Sequence, residues 1–284
     1  MHTIKLNTLI FLGLATVYSC NNATKPNPSQ IENQSVTDTS DLSKMIMLAD
    51  TTFEGHQVSL WTPDSLTNKF ESLYLKFESL YLKFEDGKGN PVSDLAVDYE
   101  IKMDMGMMAH SGPYSPLVNK GRGIYQADVV FIMANMKDMG KGWLFKTFLK
   151  GKDKTDTLTF ALPVQQTTIP RTIPTGTATD GRVFVSCLLP PELPAGKHKI
   201  EFALHKMDKE NFTELNDYTI AVETFMPAMK HGSSENENAV NKGNGRYSGI
   251  VNFTMPGEWI VKVKLLKNGE SVAQDSLVYP IKIK

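Results

Sequence analysis

Apolar and polar residues alternate in short runs along most of the chain, as in QVSLW (57–61), DYEIKM (98–103), QADVVF (126–131) and DTLTFAL (156–162). The same period continues in HKIEFAL (198–204), YTIAVETF (218–225), SGIVNF (248–253) and EWIVKVKLL (258–266). A period of two, rich in β-branched and aromatic residues, predicts strands with one buried face. Between them lie GKGNP, NKGRG and NKGNG, turn sequences in which glycine and asparagine accept positive φ. No long stretch shows a capped helical period. The pattern therefore predicts an all-β chain of two tandem β-sandwiches.

Two segments break the pattern. Residues 21–46 are rich in Asn, Ser, Thr and Pro and read as a flexible tether. The stretch from Pro163 to Gly181 is similar and divides the remainder in two. KFESLYL occurs twice in succession, at 69–75 and 76–82, and reads as a local duplication that lengthens a strand or loop without a chemical role. A single helix over 67–85 would contradict that reading.

A longer-range repeat carries more information. Met105, Met108 and His110 form M-x-x-M-x-H, and so do Met226, Met229 and His231. Each motif follows an alternating strand. Each precedes a matching block, Gly123, Tyr125, Phe131 and Met133 in one half, and Gly245, Tyr247, Phe253 and Met255 in the other. Trp143 and Trp259 follow, with six extra residues before Trp143. Ordered matches of this kind predict duplication of one sandwich domain. By strand parity Tyr99, Ile101, Met103 and Met105 share a face, as do Tyr218, Ile220, Val222, Thr224 and Met226. Met105 and Met226 are then either the last inward residues of a strand or metal ligands.

The second half, FMPAMKHG followed by GNGRYSGIVNFTMPGEWIVKVKL, resembles the YtkA-like family, which is related to FixH-like proteins of bacterial envelopes. The first half resembles it more loosely, with Gly106 where the motif has proline. The resemblance implies immunoglobulin-like sandwiches and an association with copper handling. Thioether and imidazole donors are soft and neutral and suit copper(I). The candidate metal ligands are Met105, Met108, His110, Met226, Met229 and His231, with Met133 and Met255 as possible additions. Seven of the fourteen methionines lie between Met103 and Met139, and Met133, Met136 and Met139 could either add soft donors to the first group or equally line a core.

The N-terminus assigns a place. Lys5, the apolar run LIFLGLATV (9–17) and Val17-Tyr18-Ser19-Cys20 resemble a bacterial lipoprotein signal, implying cleavage before Cys20 and its acylation. The expected order is signal peptide 1–19, lipidated Cys20 and tether 20–46, first sandwich 47–164, linker 165–180 and second sandwich 181–284. The protein would be anchored by lipid to a membrane of the bacterial envelope. Its expected partner is an envelope copper-handling or oxidase-assembly protein. Thirty basic residues against thirty-one acidic ones, without clustering, argue against a nucleic-acid partner. Cys187, the other cysteine, lies in an apolar run and is expected in a core. His56, His198 and His205 are expected to face solvent or sit satisfied in a core. No nucleophile, phosphate-loop, zinc-protease or dinucleotide motif is present, so the chain is not expected to be an enzyme. The competing reading is a structural or protein-binding tandem sandwich without metal.

Overall fold

Alternation becomes burial in β4 (Ala96–Asp104), where Tyr99, Ile101 and Met103 point into a core and Lys102 does not. The computed structural model describes residues 42–53, 56–66, 77–85, 88–90, 96–150, 155–169, 171–273 and 276–284. The signal, Cys20 and nearly all of the tether lie outside the described residues.

The first half adds β1 (Ile46–Phe53), β2 (His56–Thr62), β3 (Phe77–Glu85), β5 (Ala109–His110), β6 (Val118–Gly121), β7 (Ile124–Val130), β8 (Gly142–Lys150) and β9 (Thr155–Leu162). One sheet has the order β1-β2-β3-β7-β6 and the other β5-β4-β8-β9. A single core joins them, with Val58, Leu60 and Ala127 from one sheet meeting Ile101, Trp143 and Phe145 from the other. The second copy of KFESLYL forms most of β3, and the first copy lies outside the described residues.

The second half comprises β10 (Thr172–Thr177), β11 (Gly181–Cys187), β12 (Glu192–Leu193), β13 (Gly196–Asp208), β14 (Asn211–Glu214), β15 (Thr219–Met226) and β16 (His231–Gly232). It continues with β17 (Glu237–Gly243), β18 (Arg246–Phe253), β19 (Gly257–Lys267), β20 (Glu270–Ser271) and β21 (Leu277–Ile283). Its main path is β10-β11-β13-β18-β17-β15-β19-β21-β12. The run β10-β11-β13-β18-β17 repeats the order of the first half's five-stranded sheet, and β16-β15-β19-β21 repeats the order of its four-stranded sheet. Here, however, β17 also pairs with β15, through Thr219 with Val240 and Ile220 with Ala239, so one edge of the sandwich is closed.

The linker expectation needs correction at one place. β10 lies inside 165–180, so the second sandwich begins earlier than composition indicates. Its threonines suit a strand, and Pro174 is tolerated because β10 is an edge. Cys187 is a buried free thiol, as expected. The turns match closely: Gly121, Arg122 and Gly123, and their counterparts Gly243, Asn244 and Gly245, all have positive φ. Among the described residues, no helix is long and apolar enough to cross a membrane.

Both halves lie in one compact unit, Thr39–Lys284. The turn between β13 and β14, with Lys209 at φ 55, reaches the first sandwich. There the Glu210 carbonyl accepts from the Ser111 amide at 2.9 Å and from the Ser111 hydroxyl at 3.1 Å. Lys102 also lies 3.9 Å from the Glu210 carboxylate.

Candidate functional site

Each motif histidine is positioned by a hairpin. In the first half β4 turns into β5, with Met103 paired to His110 and Asp104 to Ala109. Gly106, at φ 84, makes the tip, and its amide donates to the Asp104 carboxylate at 2.8 Å. In the second half Met226 pairs with His231 across a loop two residues shorter. The register corrects the motif alignment. The structural counterpart of Met226 is Met103, not Met105. Met103 and Met226 are buried core residues, whereas Met105 lies just past the strand and is half-buried.

The histidines sit in matching aromatic stacks. His110 meets Trp143 edge-on at 5.6 Å between centroids, and Trp143 meets Phe131 at 5.2 Å. His231, Trp259 and Phe253 repeat this at 5.8 and 5.6 Å. The Trp143 indole donates to the Met133 carbonyl at 2.7 Å, and that of Trp259 donates to the Met255 carbonyl at 3.0 Å. The indole thus fixes the backbone of Met133 or Met255 beside the imidazole.

The ring nitrogens of His110 have separate roles. Nδ1 lies 2.7 Å from the Ser111 carbonyl, which only accepts, so Nδ1 carries the hydrogen. In the neutral ring Nε2 then presents a lone pair, 3.3 Å from the Met133 sulfur. His231 has the same arrangement at Nδ1, 2.9 Å from the Gly232 carbonyl. Neutral imidazole held by a carbonyl on its second nitrogen is a usual presentation of a metal-binding histidine.

The two ends differ in exposure. His110 is only 9% exposed and Met133 half-buried, whereas His231 is half-buried and Met255 exposed. The β13–β14 turn covers the first end beside Ser111. Met108 and Met229 sit on the hairpin tips at 67% and 60% exposure, and Met107 is fully exposed. The six extra residues before Trp143 fold back on the first hairpin. A Cβ on Gly140 would lie 2.3 Å from the Asp104 carbonyl oxygen and 2.5 Å from the Gly106 nitrogen. This brings half-buried Met136 and exposed Met139 onto a segment that touches the hairpin. Asn135 secures its start, accepting from the Trp143 amide at 3.0 Å and donating to the Leu162 carbonyl at 2.7 Å.

Among the other histidines, His198 bonds the Pro194 carbonyl at 2.8 Å. His205 departs from expectation. It is buried, its Nδ1 has no hydrogen-bond partner, and burial, with Arg246 nearby, lowers its pKa to about 4. Sequence reasoning also passed over Met207, which lines a cavity with His110 and Met133. Met207 belongs to the other sandwich and to no repeated motif, so no signal in the sequence links it to them. No group of three or more His, Cys, Asp or Glu side chains suited to a metal occurs among the described residues.

Fold and site define a chain of two immunoglobulin-like sandwiches with Met/His hairpin ends. A family model described as YtkA-like matches residues 177–264, which lie within the second sandwich. None of the curated proteins compared with the chain matches it. Among solved structures, it is similar to the Escherichia coli adhesin FdeC, at 16% identity and a TM-score of 0.24 over 82% of this chain and 65% of that one. It is also similar to invasin, a bacterial integrin-binding protein, at 11% and 0.25 over 80% and 40%. For domains 5–6 of the S-layer protein SbsC the values are 13% and 0.29 over 84% and 99%. The chain spans less than two thirds of the length of the first two.

Proposed function

We propose that this chain is a non-enzymatic envelope lipoprotein, anchored through acylated Cys20, that binds copper(I) and buffers it or hands it to an envelope copper-handling or oxidase-assembly partner. Both sandwiches are read as copies of the YtkA-like domain. The proposed ligands are His110 with Met133, Met105 and Met108, and His231 with Met226, Met229 and Met255. The observation that carries the reading is the approach of His110 Nε2 to the Met133 sulfur at 3.3 Å, with the other ring nitrogen tied to a carbonyl. With metal–nitrogen and metal–sulfur bonds of about 2.1 and 2.3 Å, that separation corresponds to an N–metal–S angle of about 100°. That angle fits a soft ion held by three or four donors rather than two, and neutral donors match its single charge. Exposed sulfurs at Met108 and Met229 give a partner access for ligand exchange.

The test is copper(I) titration, under reducing conditions and against a chromophoric competitor, of the chain lacking residues 1–20. Its comparison carries alanine at Met108, His110, Met229 and His231. The expected result is loss of bound copper in the variant. Equal stoichiometry in the two proteins would refute the reading. It would favour a protein-binding tandem sandwich, a role that exposed Met107, Met108 and Met229 also suit as an adaptable apolar surface.

A further inference from the structure

We infer that the first soft-donor site is shared between the sandwiches, with Met207 of the second completing the pair His110 and Met133 of the first. A monovalent soft ion held there would tie the two sandwiches together. This rests on the copper(I) reading above.

The geometry begins at the junction. Ser111 follows His110 directly, and both its amide and its hydroxyl bond the Glu210 carbonyl in the turn after β13. Met207 lies three residues before Glu210, paired with Phe212 across the same hairpin. The contact that seats the hairpin therefore also brings Met207 to the His110 end. Between them is a cavity of ≈ 190 Å³, lined by His110, Ile132 and Met133 on one side and by Met207, Arg182 and Phe184 among others on the second. Water occupies about 30 Å³ in the liquid, so the space accommodates an ion together with rearranged thioether ends.

The lining selects among ions. The Nε2 lone pair and two thioethers are all donors to a soft cation, and none of them suits an anion. Arg182 opposes positive charge, and the opposition doubles for a divalent ion. Its guanidinium carbon lies 5.1 Å from the Phe184 ring centre and the residue is exposed, so its charge is partly screened. Copper(I) and silver(I) meet these conditions better than zinc or copper(II). The second end is more open, with His231 half-buried and Met255 exposed, whereas His110 is buried and Met133 half-buried. The two ends should therefore bind with different strengths.

The experiment uses the chain lacking residues 1–20, whose unit Thr39–Lys284 holds both cores, and silver(I) and copper(I) as probes. Wild type is expected to show a tighter and a weaker class of ion. Met207→Leu, close in volume, should weaken the tighter class about tenfold or more while leaving the weaker class in place. His231→Ala should remove only the weaker class. Exchange of the Ser111 amide should slow on silver(I) addition in wild type and not in M207L. A fold check by circular dichroism accompanies each variant, and Met207→Gln replaces M207L if that variant misfolds. If wild type binds both ions and the Met207 variants match it in affinity and in Ser111 exchange, the shared site is overturned and the copper reading stands. If wild type binds neither ion, both fall.

Discussion

Truncation of Met226 to alanine measures how firmly the hairpin end is built into the core. Met226 closes β15, is 3% exposed, and lies with its methyl group where a side chain on Gly257 would otherwise stand, 2.8 Å from that ideal Cβ. Alanine removes three heavy atoms from a buried position, a transfer loss of about 2 kcal/mol. The remaining void, about 50 Å³ if the walls hold, adds roughly 1 kcal/mol. The expected cost is therefore about 3 kcal/mol. Leucine preserves most of the volume and should cost less than about 1.5 kcal/mol. Urea unfolding of the chain lacking residues 1–20, followed by Trp fluorescence, gives both values. An alanine variant within about 0.5 kcal/mol of wild type would refute the packing argument, because surface substitutions fall in that range. At near-native stability, M226L then reports the contribution of the sulfur alone to ion binding.

Three further outcomes follow from the same structure. Burial and Arg246 hold the folded pKa of His205 at about 4, against about 6.5 unfolded. The unfolded chain therefore takes up the extra proton between those values, so stability is lost as pH falls from about 6.5 to about 4, by about 3 kcal/mol in total. His205→Leu should remove that component from the pH–stability profile; a profile parallel to wild type would contradict the assignment. Gly140→Ala should cost about 2 kcal/mol or more, since its Cβ meets backbone of Asp104 and Gly106 and its φ is 65. Gly89→Ala, at φ 81 in open space, should cost about 1 kcal/mol, and equal melting shifts for the two would argue against the loop contact. Asn135→Ala removes two hydrogen bonds and leaves the Trp143 amide without that partner, an expected loss of about 2 kcal/mol by denaturant titration.

Period-two alternation was enough to read strands such as β4, β13, β15 and β19, and the glycines of NKGRG and NKGNG were enough to read the turns, because both signals are local. The aromatic partners of the histidines were not legible. Trp143 and Trp259 reach His110 and His231 only through sheet register, which a two-residue difference in loop length concealed. That difference also paired Met226 with Met105 in the motif, whereas the sheet pairs it with Met103. β10 was hidden by a composition that reads as linker, since threonine and proline suit a tether and an edge strand alike. Pairing of β17 with β15 depends on which edge the chain closes, and no short pattern encodes it. The cavity at the junction joins residues almost a hundred positions apart, and the burial of His205 is likewise a product of packing.

The burial of Met103 and Met226 has a chemical consequence outside metal binding. Oxidants convert accessible methionine to sulfoxide, a polar group that a packed core does not accept. Met107, Met108 and Met229, on hairpin tips, would take that modification while the sandwiches stay folded. Met103 and Met226 would take it only in molecules that have opened. Peptide mass spectrometry of oxidised samples would therefore separate damage to the working protein from the history of its unfolding.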